Sequence, residues 1–232
     1  MKILASYLEK KFVKIVPKVL KSFGVPLLTL LTTMVLTFIV VGPIMTWVSY
    51  AIGYLVKGVY DLSPVLCGLV LGGTWQVLVM FGVHWSLTPI GYNNFSLFGY
   101  DPIMCLMYGT PFAAAGSVLG VMYRERHNGN QPLSLSTALT CFVGITEPAL
   151  YGVTIPRKRP FIAGLIGGGI GGAIMGFFGS KIYTPLAGGI FALPNFIAPE
   201  GIAIGFIGAV IAIITGFAAS FAITILTYKK EM

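Results

Sequence analysis

Residues 160–180 read PFIAGLIGGGIGGAIMGFFGS, an uncharged stretch with glycine at positions 164, 168, 172 and 176. A helix needs about 20 apolar residues to cross hydrocarbon, and this stretch is long enough. Glycines four apart share one helix face, so they form a small-residue surface that lets a second helix backbone come close. They do not read as a phosphate-cradling loop, because no strand and no Gly-Lys-Ser/Thr pattern accompanies them.

The chain on either side has the same character. Of its 232 residues, 56% are hydrophobic and 9% are charged, with a mean hydropathy of +0.88. A soluble domain is about a quarter charged. Residues 25–56, 62–100 and 102–123 contain no Asp, Glu, Lys or Arg, and 129–156 and 182–228 contain one carboxylate each, Glu147 and Glu200. These runs predict an all-α, polytopic membrane protein. They lack the apolar/polar alternation of a transmembrane barrel.

The net charge of +8 would suggest a nucleic-acid partner in a soluble protein, but its placement excludes one. Lys2, Lys10, Lys11, Lys14, Lys18 and Lys21 form one cluster, Arg124 and Arg126 a second, Arg157, Lys158 and Arg159 a third, and Lys229 and Lys230 the last. Basic clusters between apolar runs mark the cytoplasmic side of a membrane protein. The location expected is therefore the inner (cytoplasmic) membrane, crossed several times. Residues 1–24 alternate apolar and basic positions at helical spacing and predict an amphipathic helix on the bilayer surface, kinked at Pro17. Residues 25–62 follow as a transmembrane linker or scaffold helix, and 63–232 as a transport domain.

Counting crossings between basic clusters locates irregular structure. Three apolar segments lie between Lys21 and Arg124, where an even number is needed. Residues 81–101, with Pro89, Gly91, Asn93, Asn94 and Gly99, are expected to be broken backbone. Residues 128–156 lie between two basic clusters and are too few for two full crossings of about 17–25 residues each. They predict a re-entrant hairpin with Glu147 near its tip or on its second arm. Residues 183–199, rich in proline and glycine, predict a second broken element. Transporters build midplane sites from such elements.

Three ionisable side chains sit well inside apolar sequence: His84, Glu147 and Glu200. A charge at the bilayer centre costs about 2.5–3.5 kcal/mol on insertion scales, which makes each a functional candidate. Glu147 precedes Pro148, whose missing N–H frees nearby backbone groups for a polar ligand. A carboxylate there can accept two hydroxyl hydrogen bonds. The competing reading is a solvated turn residue, alone or paired with Arg157. His84 offers a donor and an acceptor, and Trp75, Trp85 or Tyr92 could stack on a sugar ring; the alternative is a packing histidine with interfacial aromatics. Glu200, between Pro199 and Gly201, reads as solvated, and His127 as an ordinary member of the basic loop. No nucleophile elbow, HExxH or acidic metal cluster appears, so no catalytic group, metal or cofactor is expected. Cys67, Cys105 and Cys141 read as small buried side chains.

Gly144-Ile145-Thr146-Glu147-Pro148-Ala149-Leu150-Tyr151-Gly152-Val153 resembles the signature of the enzyme IIC component of the bacterial phosphoenolpyruvate-dependent sugar phosphotransferase system, in its β-glucoside, sucrose and trehalose branch. Phe81-Gly82-Val83-His84-Trp85 is similar to a second motif, and Arg157-Lys158-Arg159-Pro160-Phe161 and Leu193-Pro194-Asn195 support the likeness. The resemblance implies that Glu147 holds sugar hydroxyls with His84 as its partner, and that Thr146, Trp85 and Asn94 are further substrate-binding candidates. It implies IIB and IIA partners, the phosphoryl donor being a phosphocysteine on IIB, and a dimeric scaffold of about five N-terminal helices. This chain is expected to correspond to the C-terminal part, without that scaffold. The alternative expectation is a truncated, non-transporting membrane subunit with a structural or interaction role.

Overall fold

The computed structural model describes residues 2–126, 131–185 and 188–229. Eleven α-helices occur among them: α1 Lys2–Ile15, α2 Lys21–Leu36, α3 Gly42–Leu62, α4 Pro64–Met80, α5 Thr88–Phe98, α6 Thr110–Arg124, α7 Gln131–Phe142, α8 Glu147–Ala149, α9 Ile155–Arg157, α10 Arg159–Phe177 and α11 Ile204–Thr227. The described residues form no sheet, only the isolated bridges Asp101–Ile182 and Ala198–Gly201. Among the described residues, four helical stretches are long and apolar enough to cross a membrane: Lys18–Leu62, Met104–Arg124, Arg159–Phe177 and Ile204–Thr227. The chain is an all-α polytopic membrane protein. His127 and Lys230 lie outside the described residues.

The chain divides into two compact units, Met1–Ile52 and Gly53–Met232. In the first, α1 packs along α2. The break at Pro17 is a full interruption, where a kink is expected: α1 ends at Ile15, a 3₁₀ turn covers Lys18–Leu20, and α2 starts at Lys21. Pro17 cannot donate to the turn before it, and its ring crowds the carbonyl four residues back. Val16 and Val25 are buried beside this break. A second proline, Pro43, lacks the N–H that residue 39 would need, and a π-turn over Thr37–Val41 absorbs the mismatch.

The core of the second unit is α10, lying between α4 and α11. The glycine stripe behaves as its spacing predicts. A Cβ on Gly172 would sit 2.1 Å from the Gly68 carbonyl oxygen, and one on Gly168 would sit 2.6 Å from that of Gly72. Gly176 meets the Pro64 carbonyl in the same way. A second stripe, Gly167 and Gly171, faces Gly216 and Ala212 of α11. Helix association in lipid gains little from the hydrophobic effect, so close backbone packing carries it. All three cysteines are buried and free.

Residues 81–101 are more regular than expected. α4 ends at Met80, Gly82 takes a left-handed φ of 72°, and Val83–Leu87 forms a 3₁₀ turn. Residues 88–98, however, are α-helix. Pro89 lies in the first turn, where no intrahelical donor is required. Gly91 gives room inside α5 for the Asp101 carboxylate, which would lie 3.0 Å from a Cβ there.

Candidate functional site

Residues 131–157 fold as a helical hairpin. Its first arm, α7, ends at Phe142. Gly144 N–H donates to Cys141 O at 2.8 Å and Ile145 N–H to Thr140 O at 2.9 Å, which closes the turn. Gly144 has a φ of 98°, and a Cβ on it would lie 2.6 Å from the Gly189 nitrogen. Only glycine satisfies both the backbone angle and that contact. Gly189, at the start of the 3₁₀ helix Gly189–Phe196, reciprocates: its own Cβ would strike Phe142 O at 2.1 Å. The hairpin turn and the second broken element therefore touch backbone to backbone.

Glu147 opens the second arm. Thr146 just before it is buried at 6% exposure, and its carbonyl accepts from Leu150 N–H at 2.9 Å. The arm continues through a π-turn at Leu150–Thr154 into α9. Glu147 is exposed and takes part in no ion pair among the described residues. Arg157, considered from sequence as its partner, instead binds Glu125 through Nε to Oε1 and Nη2 to Oε2, both at 2.9 Å. That pairing holds the Arg157 guanidinium further toward its charged form.

His84 lies in the turn after α4. Trp75 meets its ring edge-on at 5.8 Å between centroids, and Trp85 lies tilted at 5.5 Å. His84 Nδ1 is buried and has no hydrogen-bond partner within the protein. Trp75 is 8% exposed and Trp85 69%. One bond ties this end of α4 to the second arm: the Tyr151 hydroxyl donates to Met80 O at 3.4 Å. Tyr151 follows Glu147 by about one helical turn. The second arm and the histidine turn thus lie against each other at this point.

Asn94 belongs to another cluster. Its Nδ2 donates to Asp101 Oδ1 at 2.7 Å. Asp101 is fully buried and also accepts from the backbone N–H of Ile103 at 3.0 Å and of Met104 at 3.1 Å. Sequence reasoning missed Asp101, since it stands between two apolar runs and reads as an ordinary loop carboxylate. The adjacent Pro102 and the preceding glycine, Gly99, were the available signal of a tight, internally bonded turn. Glu125 was missed for a similar reason, hidden within a basic cluster. Glu200 is exposed in the turn at Ala198–Gly201, as its sequence suggests.

The fold and these clusters define a class: a multi-pass α-helical membrane protein whose few polar side chains gather where broken helices meet. Residues 1–168 match the family described as "Phosphotransferase system, EIIC", and the chain belongs to that family. It is similar to the "PTS system beta-glucoside-specific EIIBCA component" of Halalkalibacterium halodurans, with 45% identity over 210 residues, 90% of this chain and 33% of that protein. The protein of the same description from Dickeya chrysanthemi is 38% identical over 199 residues, 86% of this chain and 32% of the relative. The "PTS system arbutin-, cellobiose-, and salicin-specific EIIBC component" of Escherichia coli is 34% identical over 196 residues, 84% of this chain and 40% of the relative. The chain spans about a third of the length of the first two. No solved structure matches it.

Proposed function

We propose that this chain is the sugar-binding module of a phosphotransferase permease for β-glucosides. In this reading Glu147 accepts hydrogen bonds from hydroxyls of the glucosyl ring, and His84 offers its unpartnered Nδ1 to the same sugar. Trp85 covers an apolar ring face, while Thr146 and Asn94 contribute through the turn and helix that carry them. The observation that carries the reading is the buried, unbonded Nδ1 of His84, on a turn tied through Met80 to the arm headed by Glu147. A buried polar atom without a protein partner is costly unless something else satisfies it.

No phosphoryl-carrying group is assigned to this chain. The sugar receives its phosphate from a phosphocysteine on a IIB domain, which a IIA protein or domain recharges, and a homodimer completes the permease. The descriptions of the two β-glucoside-specific relatives join B, C and A components in one name, and that of the Escherichia coli relative joins B and C, which supports these partners.

Ligand-dependent thermal stabilisation in detergent tests the reading. A ligand that binds only the folded state raises stability by about 2.7 kcal/mol at a hundred times its Kd. Methyl β-glucoside and cellobiose are expected to raise the melting temperature, and unrelated polyols are not. A flat response to every glucoside, sucrose, trehalose and glucose would favour a non-transporting membrane subunit.

A further inference from the structure

A cavity of about 150 Å³ lies in the second unit. Three stretches wall it: Tyr92 and Phe95 from α5, Met107 and Tyr108 from the segment leading into α6, and Thr184 and Ala192 from the connection between α10 and α11. We infer that this cavity receives the aglycone of the bound β-glucoside, a single aromatic or sugar-sized ring, and so sets which glucosides the protein accepts. The inference rests on the sugar-binding reading above and deepens it.

The walls of the cavity are bonded to one another. Asp101 fastens its three walls together through the side chain of Asn94 in α5, the backbone N–H groups of Ile103 and Met104, and a two-way backbone pairing with Ile182. Cys105, fully buried at the cavity wall, adds a contact from its Sγ to Ser180 O at 2.9 Å. An isolated loop carboxylate would not need three separate elements around it. Here it ties the three segments to one another around a single buried carboxylate.

Position also favours this occupant. The wall residue Thr88 directly follows the 3₁₀ turn that carries His84. On the other side, the Tyr108 hydroxyl donates to Gly189 O, and Gly189 abuts the hairpin turn at Gly144. The cavity is therefore flanked by both elements proposed to hold the glucosyl ring. Its lining is mainly apolar, with hydroxyls at a few points. That suits a ring with one or two polar substituents, and an apolar cavity of about 150 Å³ is known to hold benzene. Ligand sites commonly combine such an apolar wall with a few placed polar groups.

The test compares binding of phenyl β-glucoside and methyl β-glucoside to the full chain in membranes. Wild type is expected to bind the phenyl compound about tenfold more tightly, a difference of about 1.4 kcal/mol. Ala192→Leu fills the cavity and should erase that preference while leaving methyl β-glucoside binding unchanged. Phe95→Ala enlarges the cavity and should shift preference toward naphthyl β-glucoside, so the inference stays testable if the first variant does not accumulate. Equal loss of both ligands in Ala192→Leu, or an unchanged phenyl preference in both variants, overturns the inference. Glu147→Gln separates the two levels. If it abolishes binding of both glucosides while the cavity variants alter nothing, the sugar site stands and the aglycone pocket falls. If it leaves both bound, the sugar-site reading itself fails.

Discussion

Arg157 and Glu125 meet side by side, Nε to Oε1 and Nη2 to Oε2, each at 2.9 Å. Arg157 ends the arm that Glu147 begins, and Glu125 follows α6. Arg157 Nη1 also donates to Val153 O at 3.0 Å, and the Tyr228 hydroxyl adds a third bond to the carboxylate, to Oε1 at 2.5 Å. The base of the hairpin is thereby fixed to α6 and to the end of α11. Glu125 is 5% exposed, so removing Arg157 strands a carboxylate away from water, and removing Glu125 leaves a partly buried guanidinium without its carboxylate. Glu125→Ala or Arg157→Ala is expected to cost about 2–3 kcal/mol, and the double variant less than the sum. Thermal unfolding in detergent checks both statements.

Tyr228 gives this cluster a pH dependence. Burial, together with its hydrogen bond to Glu125, raises its phenol above the ordinary 10.0. A raised folded-state pKa means the contribution is complete below the unfolded value and is lost as pH climbs through the folded one. Stability is therefore expected to hold from neutral pH to about 10 and to decline above it. Tyr228→Phe should flatten that alkaline decline, as read from melting temperatures between about pH 8 and pH 11.

The glycine seam between α4 and α10 makes a sharp contrast possible. Gly172→Ala places a Cβ 2.1 Å from Gly68 O, whereas Gly58, in α3, has nothing within 4 Å of its added Cβ. Backbone cannot give way as a flexible side chain can, so Gly172→Ala should cost about 3 kcal/mol or more. Gly58→Ala should be neutral or stabilising by up to about 1 kcal/mol. Yield and melting temperature of the two purified variants decide it.

Asp101 is expected to tolerate amide replacement better than truncation. It accepts from Asn94, Ile103 and Met104 while fully buried. Asp101→Ala leaves those donors unpaired and should cost about 2–4 kcal/mol, while Asp101→Asn keeps one acceptor and should cost about half as much. The comparison is again by thermal unfolding.

Much of this was legible in the chain itself. Uncharged runs with basic clusters between them gave the helical membrane class, and the four-residue glycine period at Gly164–Gly176 gave the α10 seam. The hairpin followed from the distance between Arg126 and Arg157. What escaped was tertiary. Pro89 and Gly91 look like helix breakers, but a first-turn position removes the proline's penalty and a packed carboxylate uses the glycine's missing side chain. Asp101 and Glu125 took their meaning from partners distant in the chain, Ile182 for the first and Tyr228, 103 residues on, for the second, which no local pattern encodes. Likewise, nothing in residues 143–147 indicated that Arg157 would turn to Glu125 and leave Glu147 without an ion pair among the described residues.

The central claim is that Glu147 and His84 hold one glucosyl ring. Its most direct test is equilibrium binding of methyl β-glucoside to membranes carrying wild type, Glu147→Gln, His84→Gln and the double variant. Each single substitution is expected to weaken binding by about tenfold to a hundredfold, in line with hydrogen bonds to charged or buried groups, while the melting temperature without ligand stays close to wild type. The double variant should lose less than the product of the two, because both side chains act on the same ligand. Unaltered binding in Glu147→Gln, with the protein folded, would contradict the account.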